Sequence, residues 1–550
     1  MTGRLAQLGT YLRRIPSVVA TVLRNRELRA VTLAFAAFNA LEWGTWIAMI
    51  VFAYGQGGAT TAGIVAFVQL VPAAIVAPIA AVLGDRHRAG RVLALGYLAQ
   101  ATAVLATAGA LILDASPYVV YAFGIAAAIS VTLTRPPMSA LLPSLARTPI
   151  ELTSANVVAG WMESLTVLVA PALTGLVLGV WGAGVAFLLL GLLGAVAFLL
   201  VLPVPGPQPA QREEATGAFE EVAAGLGVLR AEKAPRILIF LLAGLFLGMG
   251  ALDVLYAELA IGALEAGNAW AGYLNAAFGL GGALGVAATI ALVGRRHLLG
   301  PITAGVVLWA GALALLAIVP TKATAFVGLA LAGVACVVVD VAGRTLLQRS
   351  APGNLLARVF GLLEGVSMAA LALGAILVPA LTALGGTAAA LLGTAAILPL
   401  IALATWRHLR TIDQDADVPV VAIGLLRTMP LFAPLSAPAI EGVARQLVPV
   451  EVEAGVAVVT QGEDGDRWYA IADGTLEVRR DDRVLATIGR GEGFGEIALL
   501  RNVPRTATVT ALTSCSLYAL EKEAFTEAIT GHPEVVVEAE RVVDRHLATH

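Results

Sequence analysis

Twelve stretches of mostly apolar residues recur along this 550-residue chain, near 30–54, 61–83, 92–113, 117–136, 154–179, 183–202, 236–262, 269–293, 300–319, 323–344, 358–382 and 386–406. About 20 such residues suffice for a helix to cross the hydrocarbon core of a bilayer. The charge content agrees. Only 13% of residues are Asp, Glu, Lys or Arg, against about 25% in an ordinary soluble domain. A large core does not account for so wide a deficit, so membrane spans are expected. The net charge of −3 points to no nucleic-acid partner. Cys336 and Cys515 give neither a disulfide framework nor a metal spacing.

The order of segments predicts six parts. Residues 1–29 carry Arg4, Arg13, Arg14, Arg24, Arg26 and Arg29 among apolar residues and read as a basic amphipathic segment on the inner membrane surface, with no cleavable signal peptide. Helices 1–6 occupy 30–202. Residues 203–235 form a cytosolic linker, proline-rich and then charged, leading into the amphipathic stretch FEEVAAGLGVLRAEK. Helices 7–12 occupy 236–408, residues 409–424 are a second linker, and 425–550 are a polar domain. Arginines crowd alternate loops: Arg86, Arg88 and Arg91; Arg147; Arg230 and Arg236; Arg295 and Arg296; Arg349 and Arg358. The opposite loops hold one basic residue, Lys322. The positive-inside rule then puts both termini and the polar domain in the cytosol, below a cytoplasmic (inner) membrane. In 425–550, YAIADGTLEVRR and RVLATIGRGEGFGE alternate like strands with Gly/Asp turns, and helical segments flank them. The fold class expected is an α-helical membrane protein of two six-helix halves with a C-terminal β-roll domain.

Charge inside a span costs about 2.5–3.5 kcal/mol on insertion scales, so each instance marks a functional candidate. Asn39 and Glu42 lie in helix 1, Glu163 in helix 5, Asp253 in helix 7 with Glu258 nearer its outer end, Asp340 and Arg344 in helix 10, and Glu364 in helix 11. Asp340 and Arg344 are four residues apart and share a helix face. The plain structural reading of that pair is a neutralised brace, and of Arg135, Arg344 and Glu364 a set of inter-helix latches. The glycines Gly279, Gly281, Gly282 and Gly285 read as helix-packing sites. Gly160–Glu163 and Gly361–Glu364, like Pro171–Thr174 and Pro379–Thr382, are traces of an internal repeat.

Gly84-Asp85-Arg86-His87-Arg88-Ala89-Gly90-Arg91, between helices 2 and 3, resembles the loop signature of the major facilitator superfamily. Arg135-Pro136-Pro137, Ala140 to Pro143 with Ala155-Asn156, and Arg344 to Arg349 resemble its drug- and siderophore-exporter branch. The resemblance covers about 28–408, and the second half keeps only Gly294-Arg295-Arg296 of the loop. It implies a central cavity lined by helices 1, 4, 7 and 10, near Glu42, Asp253, Asp340 and Arg344. Carboxylates there exchange protons as access alternates, with Glu42 and Asp253 the foremost coupling candidates. Asp85, Arg86, Arg91 and Arg135 are read as gating residues.

The run FGEIALLRNVPRTATV, Phe494 to Val509, combines a glycine turn, an acid and an arginine within one short segment. A cyclic phosphate needs a guanidinium and aligned backbone N–H groups. Arg505 supplies the first, and the residues after Phe494-Gly495 the second. Glu496 suits a ribose 2′-hydroxyl. The run resembles the phosphate-binding cassette of cyclic-nucleotide-binding domains, and Leu426-Arg427, Pro430-Leu431-Phe432, Gln461-Gly462, Gly465-Asp466, Tyr469 and Gly474 extend the likeness over 425–550. It implies backbone contacts from Ile497 and Ala498, Thr506 and Ala507 flanking the ligand, Val458 and Val459 walling the base, and a lid helix after His532-Pro533. The regulatory ligand expected is cAMP, with cGMP left open by Thr506.

The function expected is a proton-coupled secondary transporter exporting a small or drug-like molecule under control by cytosolic cAMP. The alternatives are a lysophospholipid flippase and a membrane cAMP receptor without transport. No catalytic constellation, metal site or cofactor is expected. The partners expected are the bilayer, the nucleotide and a small-molecule or lipid substrate, with the chain a monomer or weak dimer.

Overall fold

The computed structural model describes residues 18–204, 232–289, 292, 295, 297–351, 356–415, 420–432, 434–435, 437–481, 483–501, 503–530, 535 and 541. The amphipathic stretch expected within 203–235, most of the N-terminal segment and the lid helix after His532-Pro533 lie outside these residues. The chain divides into two compact units, one of Met1–Arg147, Ser154–Leu292 and His297–Ala416, the other of Thr148–Thr153, Val293–Arg296 and Asp417–His550.

The described part of the first unit is helical. Its elements are α1 (Arg26–Arg86), α2 (Ala89–Ile112), α3 (Pro117–Val131), α4 (Arg135–Leu145), α5 (Pro149–Val201), α6 (Lys233–Ala257) with a π turn Glu258–Ala263, α7 (Asn268–Thr289), α8 (Leu299–Ile318), α9 (Lys322–Ser350) and α10 (Leu356–Asp415). Among the described residues, eight helices are long and apolar enough to cross a membrane, and α3 is a shorter apolar helix. Three of the eight are each two helices joined at a glycine break: α1 at Gly57-Gly58, α5 at Gly182 and α10 at Gly385-Gly386. Gly58, Gly182 and Gly386 take φ of +63°, +80° and +68°, the left-handed region that side chains disfavour.

Several loop expectations change. Asp85 and Arg86 are the last residues of α1 rather than loop residues. Arg135, expected at the end of the span 117–136, opens the separate helix α4 instead, because Pro136 and Pro137 suit a first helical turn. Arg349 is in the last turn of α9 and only 7% exposed. The linker expected at 409–424 begins as helix: α10 runs to Asp415, with Leu409 and Ile412 buried. Asp413 fixes that end. Its Oδ1 accepts the backbone N–H groups of Leu298 (2.6 Å) and Leu299 (3.2 Å), capping α8, and its Oδ2 lies 3.2 Å from His297 Nδ1.

Glycine decides where the helices meet. An ideal Cβ on Gly250 of α6 would lie 2.0 Å from Leu371 O of α10, and one on Gly374 of α10 2.0 Å from Leu247 O of α6. Gly281 of α7 and Gly333 of α9 form a second reciprocal pair, at 1.8 Å from Ala330 O and 2.1 Å from Phe278 O. Gly175 of α5 and Gly272 of α7 form a third, facing Ala269 O at 2.6 Å and Pro171 O at 2.1 Å. Backbones in direct contact gain dispersion that lipid, as apolar as the side chains, does not replace. The outer face is correspondingly apolar, with Phe240, Val307, Leu400 and Leu403 exposed.

The second unit starts with α11 (Val420–Thr428) and α12 (Ala437–Gln446). Eight strands follow: β1 (Val448–Val452), β2 (Ala457–Val459), β3 (Arg467–Asp473), β4 (Thr475–Arg480), β5 (Arg483–Gly489), β6 (Gly493–Phe494), β7 (Thr508–Ala511) and β8 (Cys515–Glu521). α13 (Glu496–Arg501) separates β6 from β7, and α14 (Lys522–Thr530) follows β8. Two antiparallel four-stranded sheets form, β1-β8-β3-β6 and β2-β7-β4-β5, consistent with the expected β-roll. Phe432, Trp468 and Phe525 are fully buried and meet at ring distances of 5.1 and 5.7 Å, so the flanking helices share a core with β3.

Replacing Gly250 by Ala forces α6 and α10 apart. Overpacking of this kind costs about 1–3 kcal/mol. Gly250→Ala is expected to lower the thermal midpoint of the purified full chain, followed by fluorescence-detected size exclusion. Gly55→Ala, where no atom lies within 4 Å of the added Cβ, is expected to leave it unchanged.

Candidate functional sites

In the second unit, the Phe494–Val509 run folds around one buried arginine. Arg505 is 4% exposed although it carries a full charge. Its Nη2 donates to Arg467 O (2.7 Å) and lies 3.5 Å from Asp466 Oδ1, and its Nη1 donates to Gly495 O (3.3 Å). Its backbone closes the facing turn as well: Arg505 N donates to Glu463 O (2.8 Å) and Gly462 N to Arg505 O (2.9 Å). Burial pulls the guanidinium below its usual value, and Tyr469, Asp466, Glu496 and Glu463 oppose that pull. Burial, with Asp466, pushes the Tyr469 phenol up.

Gly495 is required at its position twice over. Its φ is +97°, and a Cβ there would lie 2.6 Å from Arg505 Nη1 and 3.0 Å from Arg467 O. The turn delivers Glu496, 3% exposed, to the start of α13, with Ile497 and Ala498 buried behind it. Phe494 stacks on Tyr469 at 5.1 Å and anchors β6 to β3. Thr506 and Ala507, half-buried, lead into β7, which pairs with the β2 strand that holds Val458. The expected nucleotide residues therefore belong to one contiguous cradle. Asp466 was legible only as part of the turn pattern, and its place beside Arg505 is new.

In the first unit the candidates fall into separate groups. Asp340, Arg344 and Glu364 form one network: Arg344 Nε donates to Asp340 Oδ1 and Nη1 to Glu364 Oε1, both at 2.8 Å. It joins α9 to α10, and the Glu364 side chain is 56% exposed. The Trp46 indole of α1 acts on the Asp253 carboxylate of α6, which brings together one residue of the first five helices and one of the last five. Glu42 is half-buried and acts electrostatically on Tyr97 of α2. Asn39 is fully buried. Its Nδ2 donates to Phe35 O at 2.9 Å, while its Oδ1, the Trp43 Nε1 and the Tyr97 hydroxyl have no hydrogen-bond partner among the described residues. Glu163 lies half-buried on α5. Arg91 is exposed in the first turn of α2, and the side chains of Asp85, Arg86 and Arg135 are outside the described ones. Trp46 carried a usable signal, since it sits four residues after Glu42 on the same helix face.

Residues 31–355 match the family model described as Major Facilitator Superfamily, and the chain belongs to that superfamily. It is a multi-pass membrane protein. Residues 449–532 match the Cyclic nucleotide-binding domain, so the C-terminal unit is a domain of that family. The chain is 39% identical over 104 residues to a cAMP-dependent protein kinase regulatory subunit of Yarrowia lipolytica, covering 18% of this chain and 28% of the relative. It is 36% identical over 111 residues to a cyclic nucleotide-gated potassium channel of Rhizobium etli, covering 20% and 31%. A solved structure of the regulatory domain of Toxoplasma gondii PKA with cAMP matches at 32% identity with a TM-score of 0.20, over 20% of this chain and 44% of that one. The chain spans under a third of the length of these two curated relatives.

Gly495→Ala adds both backbone strain and a clash with Arg505. It is expected to weaken cyclic-nucleotide binding by the full-length protein at least about tenfold in calorimetry, since one displaced charged hydrogen bond is worth about 1.5–3 kcal/mol. Gly442→Ala, with open space around its Cβ, is expected to bind as the parent chain does.

Proposed function

We propose that this superfamily member is a proton-coupled exporter of a small, drug-like molecule, with twelve membrane crossings, whose activity is set by cAMP bound at its C-terminal domain. The observation that carries the regulatory half is the buried Arg505 at the centre of the Gly495–Glu496 turn, in a domain of the cyclic-nucleotide-binding family. A buried guanidinium facing backbone carbonyls is a pre-paid anion site: a cyclic phosphate replaces weak partners with a charge-assisted pair. Glu496 takes the ribose hydroxyl. The likeness to a cAMP-dependent kinase regulatory subunit favours adenine over guanine.

Counting each of α1, α5 and α10 as two spans, and α3 as one, gives twelve crossings. The basic loops favour a cytosolic position for both termini and the nucleotide domain, beneath the inner membrane. Coupling is assigned to Asp253 and Glu42. Asp253 lies under the influence of Trp46 from the other half, so a proton on that carboxylate would be felt across the halves. The Asp340–Arg344–Glu364 network braces the second half, and Asp85, Arg86, Arg91 and Arg135 gate the basic end. Regulation enters through α10, which leads into the nucleotide domain and whose Asp413 caps α8. A differential affinity of about 1–3 kcal/mol between two transporter states gives roughly 5- to 150-fold control.

Two measurements test this reading. Arg505→Glu in the full chain is expected to abolish cAMP binding by calorimetry, and unchanged affinity refutes the sensor. In proteoliposomes screened with drugs, siderophores and lysolipids, a pH gradient is expected to drive flux of at least one compound. Asp253→Asn is expected to remove the pH drive while leaving substrate exchange, and undiminished pH-driven flux removes Asp253 from the mechanism.

A further inference from the structure

Glu258 holds a position that the coupling residues do not explain. It opens the π turn after α6. Its two carboxylate oxygens take hydroxyls from two other helices: Tyr54 of α1 donates to Oε2 at 2.8 Å, and Thr387 of α10 donates to Oε1 at 2.6 Å. An ionised carboxylate only accepts, so it satisfies both hydroxyls at once.

Each partner adjoins a break in helical geometry. Tyr54 precedes the Gly57-Gly58 break of α1, and Thr387 directly follows the Gly385-Gly386 break of α10. Glu258 itself begins the π turn, a feature often found at functional positions. Gly262, one turn on, leaves the space: a Cβ there would lie 2.7 Å from the Tyr54 hydroxyl and 3.3 Å from Glu258 Oε1. The three irregular segments and the missing side chain therefore converge on one carboxylate.

The bracket crosses the halves, because Tyr54 belongs to the first helices and Glu258 and Thr387 to the last. The same end of the bundle brings the halves together elsewhere. A Cβ on Gly63 of α1 would meet Ala375 O of α10 at 2.6 Å, and Gly175 of α5 meets Gly272 of α7. We propose that the Tyr54–Glu258–Thr387 bracket is the latch that keeps the two halves shut at the end bearing the glycine breaks, so that this end opens only when both hydroxyl bonds release. The proposal rests on the transport reading above.

The test uses the full chain in lipid nanodiscs, with Cys336→Ala and Cys515→Ala as background and nitroxide pairs read by double electron–electron resonance. Leu113→Cys and Leu384→Cys, at 81% and 83% exposure, report on the latched end from opposite halves. Ser144→Cys and Arg358→Cys, both exposed, report on the other end. The parent is expected to show one narrow distance at the latched end. Tyr54→Phe, Thr387→Val and Gly262→Ala are each expected to raise the ratio of open to closed molecules about tenfold or more. Thr387→Ser keeps the hydroxyl and is expected to behave as the parent does. A latched-end distribution indifferent to all three variants overturns the proposal, also where the other end moves with cAMP or pH and the transport reading stands. Opening at the latched end with no response at the other end upholds the latch and refutes alternating access.

Discussion

Contact between helix backbones is the constraint on which the membrane unit depends. In water, apolar side chains are driven together; in a bilayer they already sit in hydrocarbon, so helices associate through packing and polar contacts. The Gly250–Gly374 and Gly281–Gly333 pairs bring α6 onto α10 and α7 onto α9 at backbone distance. No side chain lies between them to adjust its rotamer. Such contacts are either made or lost, which lets a half move as one body. The Gly175–Gly272 pair is of another kind, since it joins the first helices to the last.

Polar chemistry follows the same geometry. Where helices touch through glycine, a neighbouring polar side chain meets a partner on the other helix instead of water. Glu258 meets Tyr54 in this way, because Gly262 has no side chain. The nucleotide domain uses glycine similarly under water's rules. Gly495 lets its turn pass against Arg505, and the guanidinium is buried because backbone carbonyls of Gly495 and Arg467 replace its hydration. A buried charge with imperfect partners favours an incoming anion.

The sequence made some of this readable and hid the rest for physical reasons. The apolar runs, the central linker and the cassette from Phe494 to Val509 are local patterns, so the class of each unit and the cluster around Arg505 could be read directly. Gly281 and Gly285 were recognisable as packing sites by their spacing, and both face α9. What local pattern does not encode is pairing across the chain. Tyr54, Glu258 and Thr387 are separated by 204 and 129 residues, and Tyr54 and Thr387 are individually unremarkable. Asp413 looked like part of a charged linker, because its role depends on α8 beginning beside it. Helix ends were also misplaced where proline starts a helix, as at Arg135, or where a charged turn continues one, as at Asp85 and Arg86.

Helix α10 ties these observations together. On the two sides of its Gly385-Gly386 break it carries Glu364, which pairs with Arg344, and Gly374, which seats α10 on α6; then Thr387, which bonds Glu258, and Asp413, which caps α8. Its last residue precedes the stretch leading to the nucleotide domain. A displacement of that end has two routes into the bundle. It can strip the Asp413 cap from α8, or shift α10 along its glycine seam with α6. The cap is a short-range contact worth about 0.5–2 kcal/mol, comparable with the coupling energies that regulate proteins. The seam has little tolerance for a partial shift, because Gly374 and Gly250 leave no compressible side chain between the backbones. Both contacts are short-range and leave little room for intermediate positions, which favours two discrete packings over a continuous shift.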